Sequence, residues 1–274
     1  MSSVDVHILT YNEALILPYA LRHYATFARR IIVHDSFSTD ATREIARSFG
    51  AEVADWDTGD CLNDQLAIDL KDTCWKGTDA HWVITPDADE LWYFPQGAER
   101  TLAAYEAQGL PMARPHGWNM HSDRLPTTDG QIYDEIRQGA PADDMWLYCK
   151  PILFQPALVK HTGFSVGAHN SNTVLRDNTR LPKLTDRPFS SPPSLLLHYK
   201  WIGPVEAITK RLRFRMSRLS SVNWQRRWFG EGLRDPAENA AEWVRKVKAN
   251  LTTVISDAPA RARAREPALE EAVR

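Results

Sequence analysis

The sequence predicts an α/β fold: a mostly parallel, mixed sheet flanked by helices, followed by a helical carboxyl-terminal extension. Three observations carry this. The first 54 residues read strand, helix, strand, helix, strand, and connections of that kind force right-handed crossovers and parallel strands. The second strand is a continuous apolar run, as a strand covered on both faces should be. Polar loops follow the strands at once, and in a parallel open sheet such loops gather at the carboxyl ends, where ligands bind.

The elements follow in order. Residues 4–9 form a first strand that runs into Thr10-Tyr11-Asn12-Glu13. Asn12 is a good helix cap, and the helix it opens tolerates Pro18 in its first turn. Leu17, Ala20, Leu21 and Tyr24 fall at helical spacing and face the sheet. Residues 30–34 are the second strand, ending in Asp35-Ser36-Phe37-Ser38-Thr39-Asp40. The second helix covers residues 41–49, capped by Thr39 or Asp40 and stopped by Gly50. Residues 51–54 are a third short strand. Residues 57–71 read as a loop and a helix with Leu62, Leu66, Ile68 and Leu70 as its apolar positions. Residues 82–85 are a buried strand that ends at Pro86. Another helix spans 99–108 and ends at Gly109.

From 111 to 200 the pattern breaks. Short pieces such as Trp146-Leu147-Tyr148 and Ile152-Leu153-Phe154 alternate with loops rich in Pro, Gly and Asp. Antiparallel strands and long binding loops are expected there. Residues 204–219 and 236–255 are helical, and the Ala-, Arg- and Glu-rich tail from Pro259 is a loose helix or frayed end. No internal repeat is present.

Composition narrows the class. At 274 residues, 43% hydrophobic and 25% charged, the chain supports one large domain or one domain with an appendage. A net charge of −2 argues against a nucleic-acid binder. Cys61, Cys74 and Cys149 are odd in number and lack zinc-type spacing, so they read as reduced thiols of a cytoplasmic protein. No secretory signal is visible, and no apolar stretch approaches bilayer-spanning length. The expected location is cytoplasmic, with peripheral contact at the inner membrane face as the furthest excursion.

The chemistry concentrates in Asp87-Ala88-Asp89-Glu90. In an extended segment Asp87 and Asp89 project the same way and Glu90 the other. Two carboxylates on one side can hold a divalent cation while leaving positions open for phosphate oxygens and water. The bland alternative is a polar turn after a strand, since Asp-rich turns are common. Asp35 ends a buried strand and precedes two serines, which suits an acceptor for a ribose or base. No Gly-x-Gly-x-x-Gly and no Gly-x-x-x-x-Gly-Lys-Ser follows the first strand, which weakens dinucleotide and P-loop readings.

Thr10-Tyr11-Asn12-Glu13, Asp35-Ser36-Phe37-Ser38-Thr39-Asp40-Ala41-Thr42 and Asp87-Ala88-Asp89-Glu90 together resemble the successive signatures of family 2 glycosyltransferases with the Rossmann-like GT-A fold. The likeness covers residues 3–95 and is closest to the bacterial branch whose motif reads Asp-x-Asp-Glu. Phe37 departs from it, since many members carry a small or polar residue there. The resemblance implies inverting transfer of a sugar from a nucleotide diphosphate sugar, with Mn²⁺ or Mg²⁺. By the same resemblance, Thr10, Tyr11 and Glu13 line the nucleotide pocket, and Asp35 binds base or ribose. Asp87 sits near ribose or diphosphate, and Asp89 is the metal ligand. The expected division is a GT-A domain over 1–203 and a basic helical extension over 204–274. Within the domain, 1–95 is the nucleotide-sugar half and 96–203 the acceptor half.

The second half must supply the rest. His198 and Lys200, in Leu197-His198-Tyr199-Lys200, are candidates for a metal or diphosphate ligand and for phosphate neutralisation; a structural strand-end His is the alternative. His169, near Gly163 and Gly167, marks either a substrate loop or a hairpin turn. A base must stand near the acceptor hydroxyl. Asp134, Glu135, Asp143 and Asp144 are the available acids, and Asp144, before Met145-Trp146, is the chosen one. Between 200 and 234, Lys200, Lys210, Arg211, Arg213, Arg215, Arg218, Arg226, Arg227 and Arg234 face only Glu206 and Glu231, with Trp224, Trp228 and Phe229 interleaved. That stretch reads as a lid over the diphosphate, a surface for anionic lipid, or a solvated helix face. The predicted activity is sugar transfer to a glycan or cell-surface precursor, including a lipid-linked one. The rivals are a nucleotidyltransferase, which usually carries a Gly-rich basic loop after its first strand, and a non-catalytic nucleotide- or sugar-binding protein.

Overall fold

Seven consecutive buried residues make up the central strand β1 (Val4–Thr10). The computed structural model describes residues 2–142, 148–228 and 235–256. From β1 the chain passes through α1 (Leu17–Tyr24), β2 (Arg30–Asp35), α2 (Thr42–Ser48), β3 (Glu52–Asp55) and α3 (Asp64–Thr73) to β4 (Trp82–Ile84). There follow β5 (Glu90–Tyr93), α4 (Ala98–Ala107), β6 (His116–Ser122), α5 (Ile132–Glu135), β7 (Gln138–Pro141) and β8 (Leu153–Phe154). A small hairpin pairs β9 (Val159–His161) with β10 (Val174–Leu175) before the long strand β11 (Leu195–Ile202). Helices α6 (Val205–Ser217), α7 (Ser221–Arg226) and α8 (Pro236–Ala249) and strand β12 (Thr252–Thr253) complete the order.

Two five-stranded sheets result. The first runs β3-β2-β1-β4-β8, parallel except for β8 at its edge. The second runs β12-β7-β6-β11-β5, antiparallel except for the β6–β11 pair. Register lines up the ends of the first sheet: Thr10 lies opposite Asp35, Asp35 opposite Asp55, and Leu9 bridges to Asp87. The three polar loops therefore converge as the alternating pattern requires. The chain steps from the first sheet to the second at the acidic turn, where the Glu90 N–H donates to the Asp87 carbonyl at 3.0 Å. Antiparallel pairing of β11 with β5 then sets His198 opposite Glu90.

The core is one large cluster between sheets and helices, with Trp75, Trp82, Trp92, Tyr24 and Tyr105 fully buried in it. Burying each large apolar side chain contributes roughly 1.5–3 kcal/mol. A second cluster of Trp201, Ile208, Leu212, Ala240 and Val244 joins α6 and α8 to β11. There the Trp201 and Trp243 rings stack at 5.0 Å.

Several local expectations change. Asn12 does not cap α1; it has φ +54° and accepts the N–H groups of Thr39 (2.7 Å) and Asp40 (3.3 Å), so it ties two loops together. α1 starts only at Leu17. Asp40 accepts the Thr42 N–H at 3.0 Å, and Gly50 ends its helix at φ +73°. α3 buries Lys71 and Asp72, while Leu62, Leu66, Ile68 and Leu70 are only half-buried, because this helix borders a cavity. The β6–β11 pair is parallel where antiparallel strands were expected. The last helix stops at Ala249, since β12 pairs with β7. Trp146 and Leu147 lie outside the described residues. Cys61, Cys74 and Cys149 are free thiols, and among the described residues no helix is long and apolar enough to cross a membrane.

Three buried histidines make the fold sensitive to acid. His7 Nδ1 and His34 Nε2 lie 3.0 Å apart, and His23 Nε2 donates to the Trp92 carbonyl at 2.9 Å. Burial pushes each down to about 4 from an ordinary 6.5, with His34 adding to the effect on His7. The unfolded chain binds protons these sites refuse, so stability is whole above pH 6.5 and is lost as pH falls toward 4. Melting followed by circular dichroism should show a lower Tm at pH 5.5 than at 7.5, at a cost of about 1 kcal/mol per histidine. A Tm that stays flat across that window would contradict this origin.

Candidate active site

Asp35 stands at the end of β2 and is fully buried. Its Oδ1 accepts from the Ser38 hydroxyl at 2.5 Å and the Thr10 hydroxyl at 3.2 Å. Its Oδ2 accepts from the Ser38 N–H at 2.9 Å and Arg43 Nη1 at 3.0 Å. The carboxylate therefore braces its own loop and is set back from the cavity, whose wall is formed by Ser36 instead. Phe37, with φ +56°, is half-exposed.

The acidic turn carries a buried charge network. Lys71 Nζ bonds Asp87 Oδ1 at 2.8 Å and the Thr85 carbonyl at 3.0 Å. Lys150 Nζ lies 3.4 Å from Asp87 Oδ2 and also pairs with Glu90. Glu90 Oε2 accepts the Asp87 N–H at 3.1 Å. Burial alone would raise the Asp87 carboxyl, but the ammonium groups of Lys71 and Lys150 hold it well below the usual range. Burial would likewise lower Lys150, but Glu90 and Asp87 hold it above its ordinary value. The segment is a tight turn and not the extended stretch expected, so Asp87 faces the lysines while Asp89 faces β11.

Asp89 Oδ2 lies 3.4 Å from His198 Nε2, and the Tyr199 N–H donates to the Asp89 carbonyl at 2.8 Å. Burial raises this carboxyl and His198 lowers it, leaving it at about 2. His198 Nδ1 is buried and has no hydrogen-bond partner among the described residues. Donor atoms of Asp89, Glu90 and His198 lie within 4.8 Å of one another. Because Lys150 engages Glu90, the open pair is Asp89 with His198. One carboxylate oxygen and one imidazole nitrogen suit Mn²⁺ better than Mg²⁺, the harder ion, which favours oxygen alone. Asp87 lines the cavity while both of its oxygens face lysine ammonium groups.

These groups open onto a cavity of about 620 Å³, within the range of small-molecule sites. Thr10, Tyr11, Glu13, Asp87, Asp89, His169, His198 and Lys200 all line it. Burial first, and then Asp89, pushes the Glu13 carboxyl up to about 8, against the pull of Arg215 and Arg211. The His169 loop is both of the things its sequence allowed. Phe164 bridges to Ser171 in hairpin fashion, and residues 164–169 line the cavity. Asp144, the base chosen from sequence, lies outside the described residues; Tyr148, just beyond, lines the cavity.

Sequence reasoning missed Lys71 and Lys150 altogether, since a Lys in a last helical turn or a loop reads as solvated. It also undervalued α6. Arg211, Phe214, Arg215 and Arg218 recur at helical spacing and line the cavity, whereas Lys210, Arg213 and Arg226 do not. Arg211 is fixed to β11 through the Ile202 carbonyl at 2.6 Å and the Lys200 carbonyl at 3.2 Å.

No protein-family model and no curated protein matches this chain. Solved structures do show partial likeness. Mannosyl-3-phosphoglycerate synthase from Rubrobacter xylanophilus matches at 20% identity and TM-score 0.33, over 42% of this chain and 40% of its own. Glucosyl-3-phosphoglycerate synthase from Mycobacterium tuberculosis, in complex with Mn²⁺, uridine diphosphate and glucosyl-3-phosphoglycerate, matches at 16% and 0.31 over 44% of each chain. S. aureus TarS 1-349 matches at 13% and 0.43, over 79% of this chain and 65% of that one. The matched regions thus span less than half of the two synthases.

Removing one partner from the buried network leaves a charge stranded. Lys150→Met should destabilise the fold by about 3–5 kcal/mol, read as a lower urea midpoint. The double variant Lys150→Met/Glu90→Gln should recover part of that loss. Equal midpoints for wild type and Lys150→Met would refute the network's role.

Proposed function

We propose that this chain is a metal-dependent, inverting glycosyltransferase of the GT-A type, acting on a nucleotide diphosphate sugar. The observation that carries the reading is the Asp89–His198 pair at the step between the two sheets, opening into a cavity whose far wall is cationic. Apart from Lys71 and Lys150, which pair with the acidic turn, Lys200, Arg211, Arg215, Arg218 and Arg227 line the cavity, although the chain as a whole is net negative. Such a wall fits an anionic ligand and offsets the charge that builds on a departing diphosphate.

In this reading Asp89 and His198 hold the divalent cation, which when bound supplies Lewis-acid stabilisation of the leaving group. Thr10, Tyr11 and Glu13 line the nucleoside end. Burial raises the Glu13 carboxyl above its ordinary value, while Arg215 and Arg211 beside it favour its charged form. Lys200, Arg211 and Arg215 neutralise diphosphate oxygens. Asp35 acts through the loop it braces and not by contact. The acceptor hydroxyl attacks the anomeric carbon as the bond to the diphosphate breaks on the opposite face, and its proton passes to a carboxylate. We assign that base to Asp144. The acceptor is a glycan or cell-surface precursor; the exposed Trp224, Arg213 and Arg226 fit contact with an anionic inner-membrane face if it is lipid-linked.

Incubation with Mn²⁺ and a panel of nucleotide sugars should release nucleoside diphosphate. Pyrophosphate release would favour a nucleotidyltransferase, and binding without turnover a non-catalytic protein. Asp89→Ala should lower turnover about 100-fold or more and abolish the gain in nucleotide affinity that Mn²⁺ confers. The variant should stay folded by circular dichroism with a modestly lower Tm, since it loses the pairing with His198. Undiminished Mn²⁺-assisted affinity in that variant would sink the assignment.

A further inference from the structure

We propose that His7, His34 and Cys74 form a second metal site, which takes Zn²⁺ or a like borderline cation and ties the end of α3 to the first sheet. Among the described residues, two groups of three His, Cys, Asp or Glu side chains bring donor atoms within 4.8 Å of one another. One is the group at Asp89 and His198. The other is a nitrogen of each of His7 and His34 with the Cys74 Sγ. None of these three residues lines the cavity, so the site stands apart from the glycosyltransferase reading.

The fold brings the three together on rigid elements. Parallel register sets His7 opposite Ile32 and Leu9 opposite His34. Side chains alternate along a strand, so the two histidines share one face as diagonal neighbours on β1 and β2. Their rings stack with centroids 5.3 Å apart, and His7 Nδ1 lies 3.0 Å from His34 Nε2. Cys74 caps the end of α3, its N–H donating to the Leu70 carbonyl at 2.8 Å. The next residue, Trp75, is buried and donates Nε1 to the Lys71 carbonyl at 3.1 Å, which fixes the helix end. Around tetrahedral Zn²⁺, two nitrogen ligands lie about 3.3 Å apart, and nitrogen and sulfur about 3.6 Å. The imidazole pair is already near that spacing, and the thiol, within 4.8 Å, closes by about 1.2 Å at most.

A second observation points to a ligand. His7 is only 5% exposed, and its Nε2 is buried with no hydrogen-bond partner among the described residues. A buried polar atom left unpaired is costly, and imidazole ligates through either nitrogen, so a cation gives this ring the partner that the fold does not. The donor set selects the ion. It holds no carboxylate, and a thiolate with two imidazoles suits Zn²⁺, whereas Mg²⁺ and Mn²⁺ prefer oxygen. On binding, a bond forms between Cys74 Sγ and the cation as the thiol S–H bond breaks, and the proton leaves to solvent. Three protein ligands leave one tetrahedral position, and Cys74 is only half-buried, so water can fill it.

The test is titration of the reduced, chelator-treated full chain with Co²⁺, a coloured stand-in for Zn²⁺, in the Asp89→Ala background that disables the other site. One equivalent should bring up a thiolate-to-cobalt charge-transfer band in the near ultraviolet, and one equivalent of Zn²⁺ should erase it. Mn²⁺ should produce no such exchange. Cys74→Ser should abolish the band, and His34→Phe should weaken Co²⁺ about 100-fold or more. Both variants should keep the parental far-ultraviolet circular dichroism spectrum, and Cys74→Ala replaces the serine variant if that one unfolds. Saturating Zn²⁺ should raise Tm by about 5 °C or more in the Asp89→Ala protein and leave it level once Cys74 is also replaced. Absence of the band in the Asp89→Ala protein would overturn the site. A band that survives loss of Cys74 would overturn it too, by assigning the thiolate to Cys61 or Cys149. Neither result touches the transferase reading, whose measure is release of nucleoside diphosphate.

Discussion

The structure turns on a quartet of charges: the buried Lys71, Lys150 and Glu90 with Asp87, whose side chain stays 40% exposed to the cavity. Taking three ions out of water costs several kcal/mol each, and only close mutual pairing offsets it. Its two acids sit where the chain leaves the first sheet and enters the second: Asp87 lies between β4 and β5, and Glu90 opens β5. The quartet pins a sharp turn in one geometry and leaves Asp89, between Asp87 and Glu90, as the carboxylate turned toward β11. Neighbouring acids thereby take opposite roles. One is locked by lysines, and one is left to a histidine and the cavity.

The same step explains why the site draws on both halves of the chain. β5 begins at Glu90, and its antiparallel pairing with β11 sets His198 beside the acidic turn from 108 residues further along the chain. β11 then leads into α6, whose Arg211 and Arg215 line the same cavity as the strand ends. A site built this way opposes acidic and basic walls across a partly desolvated space. Glu13 records that balance: burial and Asp89 push its carboxyl up, while Arg215 and Arg211 pull it down.

The legible and illegible parts of the sequence divide along physical lines. The first sheet was readable because each strand is a local apolar run and each helix carries its own punctuation, such as Gly50 and Gly109. The loops holding Thr10, Tyr11, Glu13 and the acidic triplet were readable because short polar signatures survive as contiguous letters. Asp35 was read as a ligand contact, yet it spends its oxygens on Ser38, Thr10 and Arg43, since a carboxylate at 0% exposure must be satisfied internally. Asn12 was read as a helix cap, yet its amide is worth more tying two loops together.

The sequence by itself determined the strand–helix alternation, the convergence of three polar loops at one sheet edge, and the presence of acids there. These are near-neighbour properties, set by periodicity of 2 or 3.6 residues and by chain connectivity. Tertiary structure alone decided which acid is locked and which is open, because Lys71, Lys150 and His198 reach the turn from distant segments. It alone turned Arg211, Phe214, Arg215 and Arg218 from a solvated face into a cavity wall. A helix's charge pattern says which residues share a face, and only packing says what that face meets.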